Sequence, residues 1–516
     1  MRGVAASALL PAVAHGSRRG RQDPTIDVAI VGGGVAGCYA AWRLASAANP
    51  PGTIRLFERS ERIGGRLFSV PCDGMKHQVA ELGGMRIAGD QTPLLALVDE
   101  LELETEPYPA TEPDDLYYLR GIRTRARDLK CNLDTGFRPS KEIEGKTPGE
   151  VFRLLLAKLT GKRSWTAEEF KEARSTMTFR GRPLYEVPYE YAWREVLGAE
   201  GYKFLHQTTG YGRPNTQALG FIEEAVLSMF VHDYFHVEGA HVQGGYDLVP
   251  KRLASSAEDM GVDFEFGSTL TDIRLNSDGT VRLVFDEKGG PTRTILARRA
   301  ILAIPGSAYG LLDPGGALGG DNGMSNVNQA LLGNPALKIY SNYETQWWNP
   351  LGMRTGRSIT DLPIRQCFYL PDPSGGGLVL SPYASGAQAT DYWRPLLEPI
   401  APNRLDPDGM AGRAIRSQLE KLHGIEIPEA RDIHYRYFDG GHDGYAWSMW
   451  SPGARYWELL PGARTPLPGR PIHCVGQATA RSQGWVMDTI SSVETVMRDS
   501  YGLARPKWWP ADYPIE

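Results

Sequence analysis

Apolar residues along this chain fall into short unbroken runs and longer periodic ones. Ile26-Asp27-Val28-Ala29-Ile30-Val31 has the near-continuous hydrophobicity of a parallel strand covered on both faces. It stops at Gly32-Gly33-Gly34-Val35-Ala36-Gly37, and a helix-like stretch follows from Cys38 to Ala48. Thr53-Ile54-Arg55-Leu56-Phe57 predicts a second strand, which ends at Glu58. From Thr92 to about His236 the period becomes helical, as in Val151–Leu159, with a polar connector from Asp134 to Pro148, so a helical insertion is expected. Strand-like runs at Val262 to Phe266, Val281 to Phe285 and Ala300 to Pro305 return the chain to its first layer. Residues from about 336 to 450 supply strands for a mixed sheet, and the segment from about Trp457 goes back to the first layer. The expected division is a discontinuous nucleotide-binding domain of 25–91, 240–335 and 457–516, a helical domain of 92–239, and a substrate domain of 336–456. Residues 1–24 lie outside all three.

The glycine turn between strand and helix carries chemistry. Gly32 permits the tight turn, Gly34 lets backbone N–H groups approach a pyrophosphate, and Gly37 lets helix and strand pack closely. The anion then rests at the helix's positive end, beside Val35 and Ala36. Glu58 stands 21 residues beyond Gly37, where a carboxylate accepts both hydroxyls of an adenosine ribose and repels a 2′-phosphate. The fold class is therefore α/β and Rossmann-like, and this much fits NAD or FAD equally.

Composition narrows the class. With 516 residues, 41% of them hydrophobic, the chain can fill about three cores. A net charge of -5 gives no general attraction to nucleic acid or anionic membranes, and no apolar run reaches the roughly 18 residues that span a bilayer. The five cysteines are scattered without metal-site spacing, as expected of reduced structural thiols. Met1 to Ala14 has a poor apolar core interrupted by Pro11, and Arg18-Arg19 follows that core. A disordered tail on a cytoplasmic protein is expected, with export to the periplasm or outside the cell as the alternative.

Four ordered blocks decide between the cofactors. Arg59 to Leu67 contains Gly64-Gly65-Arg66, and Glu81-Leu82-Gly83-Gly84-Met85-Arg86 follows it. Far downstream, Lys338 precedes Trp348 by ten residues. Gly476-Gln477-Ala478 is followed by Gly484-Trp485-Val486-Met487-Asp488-Thr489. In these blocks the chain resembles the flavin amine oxidase superfamily, and most closely its L-amino acid oxidases. The resemblance implies a glutathione reductase-like FAD-binding domain with an interleaved mixed-sheet substrate domain. It also implies that Arg59, Gly65 and Arg66 meet the pyrophosphate, and that Glu81 to Arg86 form a strand beneath the isoalloxazine, with Gly83, Gly84, Met85 and Arg86 against the cofactor. Leu270 would meet the adenine, while Gly476, Gln477, Gly484, Trp485, Val486 and Thr489 would close around the flavin. Gln477 replaces the family's usual glutamate, yet an amide still hydrogen-bonds a ribityl hydroxyl. The family's covalent attachment uses a carboxyl-terminal cysteine, whereas Cys474 lies in a strand-like run, so FAD is expected to bind non-covalently.

Arg86 sets the expected substrate. Amine and polyamine oxidases of the family carry small or apolar residues there, and L-amino acid oxidases carry arginine, whose planar fork matches a carboxylate. Tyr383 resembles the tyrosine that shares that carboxylate, and Gly484-Trp485 the pair that borders the amine. Trp447 and Trp450 are candidates for the same pocket, and Glu223, Glu224, His232, Asp233 and His236 for the side-chain end. Lys338 corresponds to the lysine that holds a water near the reactive nitrogen. The resemblance thus implies hydride transfer from the α-carbon of an L-amino acid to FAD, yielding a 2-oxo acid, ammonia and, with oxygen, hydrogen peroxide, in a homodimer. Bulky apolar or aromatic side chains are the expected substrates, then basic ones. A polyamine oxidase, an oxidative decarboxylase, a dye-linked dehydrogenase and a non-enzymatic flavoprotein stay open as alternatives.

Overall fold

The computed structural model describes residues 24–108, 111–211, 216–227, 239–511, 513 and 515. The expectations for residues 1–23 lie outside them, as do those for His232, Asp233, His236 and the side chain of Glu224. No described helix is long and apolar enough to cross a membrane.

A seven-stranded sheet is built on Ile26–Val31, as its burial on both faces requires. This strand runs parallel to Ile54–Glu58 on one side and to Arg293–Leu302 on the other. Asp263–Phe266 and Ile472–Cys474 join in the same direction. Val281–Glu287 and Ser268–Leu275 extend the sheet antiparallel. The carboxyl ends of the parallel strands therefore meet along one edge, at Gly32, Glu58, Ala303 and Gly476, where ligands bind in open α/β sheets. The helices Val35–Ala45, Leu248–Asp259 and Val486–Tyr501 cover one face, burying Cys38, Leu44, Leu253, Ile490 and Val493 with Val28 and Ile30.

A ten-stranded sheet lies opposite. Its path runs Asp432–Gly440, Ala336–Tyr343, Gly377–Ser385, Gln366–Pro371, Gly356–Thr360, Leu116–Leu119 and Ile122–Arg125. Ala336–Tyr343 and Gly377–Ser385 are buried at every position, so both faces of the sheet's centre are covered.

Three expectations change. The segment 92–239 is not helical throughout: Leu116–Leu119 and Ile122–Arg125 pair as a hairpin on the ten-stranded sheet, and Thr105–Tyr108 pairs with Gly239–Val242. Its helices, Pro148–Thr160, Tyr189–Thr208 and Ala218–Leu227, do pack around one core that includes Phe152, Trp193 and Phe221. The first helix begins at Val35 rather than Cys38, because Gly34 already serves as its N-cap. No strand spans Gly83 to Arg86: Val79–Glu81 ends where Gly83 and Gly84 press against the preceding segment. A Cβ on Gly83 would stand 1.9 Å from the Arg66 carbonyl, so only glycine allows that approach.

Candidate active site

Between the two sheets lies a cavity of about 530 Å³. One end is the glycine turn. Gly32 has φ +107, and a Cβ there would meet the Ala303 carbonyl at 2.6 Å. Glu58 is fixed by the Gly33 N–H at 2.6 Å and by the Ser60 N–H and hydroxyl at 2.7 Å each. Gly34, Val35, Ala36, Arg59, Gly65 and Leu270 line the same end. Gly37 does not: a Cβ on it would stand 1.8 Å from the Gly32 carbonyl, the close packing of helix on strand expected of it.

The middle of the cavity is prepared for an anion. Helices Val35–Ala45 and Val486–Tyr501 both start at its wall, and neither N-cap residue, Gly34 or Trp485, gives a side-chain cap. The positive ends of both helices thus meet the cavity. Arg66 donates to the Tyr445 carbonyl at 3.1 Å and to Gln477 Oε1, with no carboxylate among its hydrogen-bond partners. Burial pulls its pKa down to about 10. Gln477 Nε2 is buried and has no partner. Two uncapped helix starts, an arginine held by neutral acceptors and an orphaned amide are what a dinucleotide pyrophosphate and a polyhydroxyl chain would satisfy, so the residues fit such a cofactor.

Lys338 lines the cavity from the ten-stranded sheet. It is buried on the Ala336–Tyr343 strand, paired in register with Tyr383. Its Nζ donates to the carbonyls of Glu81 at 3.3 Å and Gly83 at 2.5 Å. Burial lowers its pKa to about 7, against the attraction of Glu81 and with the repulsion of Arg86. Burial likewise pushes Glu81 up to about 7, opposed by hydrogen bonds from the Tyr246 N–H at 2.7 Å and the Ser69 hydroxyl at 2.8 Å. These bonds tie the segment after Val242 to the Gly83–Arg86 turn.

Beside Lys338, Arg86 faces rings rather than an acid. Its guanidinium carbon lies 5.8 Å from the Tyr108 ring centre and 5.9 Å from that of Trp485, and no described acid forms an ion pair with it. Tyr383 lines the same space, 5.6 Å from Tyr211 and 6.3 Å from Phe368, with its hydroxyl pKa raised by burial. Trp447 sits 6.2 Å from Tyr211, and its Cβ is 3.6 Å from where a Cβ on Gly484 would be. Trp450 lies farther along the wall, stacked on Tyr456 at 5.4 Å and donating to the Arg481 carbonyl at 3.0 Å. Met85, Gly476, Val486 and Thr489 complete the lining. Glu223 reaches the cavity too, flanked by Arg174 at 3.6 Å and Arg481 at 4.0 Å.

Sequence reasoning missed Tyr108, Tyr211, Phe368, Arg357 and Arg436, all lining or bordering this space. A tyrosine or arginine in a strand carries no signal until the register shows its neighbours. The five cysteines are free and buried, and none lines the cavity.

The model of the flavin-containing amine oxidoreductases matches residues 35–492. The chain belongs to that family. An L-amino-acid oxidase from Demansia vestigiata is 25% identical, over 92% of this chain and 86% of the relative. Aplysianin-A from Aplysia kurodai is 24% identical, over 93% of this chain and 91% of the relative. Among solved structures, cyclohexylamine oxidase from Brevibacterium oxydans superposes with a TM-score of 0.70 at 18% identity, covering 92% of this chain and 98% of that one. Putrescine oxidase bound to putrescine gives 0.68 at 20%, covering 93% and 99%. These likenesses establish the amine oxidoreductase fold, with its flavin-binding domain of Rossmann type. The protein is thus a flavin-dependent amine oxidoreductase, and this cavity is the candidate for its site.

Proposed function

We propose that the protein oxidises L-amino acids to 2-oxo acids and ammonia, with non-covalently bound FAD and with oxygen as acceptor. One observation carries this reading: a cavity-facing guanidinium, Arg86, meets the aromatic rings of Tyr108 and Trp485 instead of a described internal acid. A half-buried guanidinium facing a cavity without a described counter-ion is set to receive one, and a substrate carboxylate would supply it. Charge-assisted bonds there contribute about 1.5 to 3 kcal/mol each. The naming of the Demansia relative as an L-amino-acid oxidase supports the same substrate class.

FAD, when bound, supplies the hydride acceptor for the α-carbon. Glu58 would hold the adenosine ribose, and Arg66 with the two helix starts the pyrophosphate. Because no cysteine faces the cavity, the chain offers no thiol for covalent attachment. Arg86 and Tyr383 would fix the α-carboxylate and so orient the Cα–H, a positioning effect worth several kcal/mol of barrier. Trp485, Trp447 and Tyr211 would enclose the amine and exclude water. Lys338 spends two hydrogen bonds on carbonyls and keeps donor capacity for a water in the cavity. Its charge changes in the neutral range, so a pH profile reports on it.

Product analysis tests the assignment. Incubating the yellow protein with each of the twenty L-amino acids in air should yield, for at least one, a 2-oxo acid, ammonia and hydrogen peroxide in equal amounts. An amide with carbon dioxide would instead mean oxidative decarboxylation. Flavin bleaching without peroxide would mean a dehydrogenase.

A further inference from the structure

The ten-stranded sheet brings a second arginine to the same cavity. Across four adjacent strands the register pairs Lys338 with Tyr383 and Arg357 with Phe368, and all four side chains line the cavity. Arg357 is only 7% exposed. Its guanidinium donates to Gln366 Oε1 at 3.4 Å and lies 5.8 Å from the Phe368 ring centre, and no described carboxylate ion-pairs with it.

Asp115 is the acid whose field reaches Arg357, yet it is a poor counter-ion. Its Oδ2 is occupied by the N–H groups of Glu112 at 2.6 Å and Arg357 at 2.7 Å, while Oδ1 has no partner. Burial pushes its carboxyl up to about 7, so much of its charge is missing at neutral pH. Arg357 is left as a buried fork whose side-chain partners, the Gln366 amide and the Tyr117 hydroxyl, are both neutral. Such a group awaits an anion.

The two arginines flank one aromatic pair. Arg86 faces Tyr108, the Tyr108 and Phe368 rings are 5.9 Å apart, and Arg357 faces Phe368. The strands of Tyr383 and Arg357 are two apart in the sheet, or roughly 10 Å between backbones. A substrate with a carboxylate at each end is of the scale that reaches from Tyr383 to Arg357.

We propose that Arg357 binds the side-chain carboxylate of the substrate, making dicarboxylic L-amino acids the preferred class. This rests on the L-amino acid reading, since Arg86 must take the α-carboxylate, and it departs from the apolar or aromatic preference expected from sequence. Glu223, the acid on the opposite wall, stands between Arg174 and Arg481 and so does not present an isolated negative charge to the second carboxylate.

The test is anaerobic flavin reduction by the FAD-loaded protein with L-aspartate, L-glutamate and L-2-aminoadipate, against L-asparagine, L-glutamine and L-methionine. The best dicarboxylate should half-saturate at least about tenfold below its amide, the size of one charge-assisted bond. In Arg357→Met the glutamate-to-methionine efficiency ratio should fall by about tenfold to a hundredfold, with Arg357→Lys recovering part of it. Equal losses on both substrates would mean a structural role and overturn the proposal. Reduction of the parent by neutral amino acids but by no dicarboxylate overturns it too, while leaving the amino acid reading intact. Reduction only by amines lacking a carboxylate overturns both. If the variants do not fold, titrating the parent's flavin spectrum with glutarate and butanoate still decides: glutarate should bind at least about tenfold tighter, and equal affinity contradicts the proposal.

Discussion

Replacing Arg66 with methionine should leave the flavin-free protein at least as stable while crippling FAD binding. Burial lowers the Arg66 pKa from 12.5 to about 10, so the unfolded chain holds this proton more tightly than the fold does. The resulting penalty is fully present below pH 10 and fades as pH rises from about 10 toward 12.5. At about 1.36 kcal/mol per unit it is on the order of 3 kcal/mol. Methionine removes that charge and gives up hydrogen bonds to Tyr445 and Gln477, worth about 0.5 to 1.5 kcal/mol each. The net is a flavin-free protein unchanged or stabilised by about 1 kcal/mol, a Tm rise of about a degree or two. With FAD the sign reverses, since each lost charge-assisted bond to the pyrophosphate weakens binding by about tenfold to a hundredfold. Thermal scans of the flavin-free proteins, with FAD titrations followed by fluorescence quenching, read both effects. A fall in the flavin-free Tm of more than about 3 °C, or FAD affinity within about threefold of the parent, would falsify the anion-site assignment.

Gly37→Ala should cost more than the about 1 to 3 kcal/mol of ordinary overpacking, because the added methyl meets backbone at 1.8 Å; chemical denaturation of the flavin-free protein measures it. Lys338→Met should abolish any transition near pH 7 in the rate of flavin reoxidation by oxygen, while FAD still binds; an unchanged profile removes Lys338 from that step. The same lysine has a stability signature: its depressed pKa makes the parent gain stability as pH rises from about 7 toward 10.5, a gain that denaturation midpoints of Lys338→Met should lack. Glu81→Gln should remove a loss of stability between about pH 4.5 and 7, since its raised pKa makes the folded chain hold the proton there.

What sequence made legible was local or repeated in a known spacing. The Ile26–Val31 strand, the glycine turn and Glu58 form one contiguous signal, and their side chains are where the spacing says. Arg86, Lys338 and Tyr383 are legible through motif resemblance, and the fold brings all three to one cavity. The hairpin Leu116–Leu119 and Ile122–Arg125 was hidden because its strands are four residues long and its neighbour, Gly356–Thr360, lies far along the chain. Arg357 was invisible for a related reason. Nothing at 357 distinguishes a cavity-facing guanidinium from a surface one until its register with Phe368 is known. Gly37 fits its spacing and packs helix on strand, as the motif says.

The most direct measurement of the carboxylate clamp compares each reactive L-amino acid with the amine it becomes on losing its carboxylate, anaerobically, in the parent protein and in Arg86→Met. The parent should bleach with the amino acid and show little or no reduction by the amine. Arg86→Met should keep FAD and lose the amino acid by about tenfold to a hundredfold per bond removed. Fast reduction of the parent by the amine, or an Arg86→Met protein that reduces with the amino acid as readily as the parent at low substrate, would contradict the assignment of Arg86 to a substrate carboxylate.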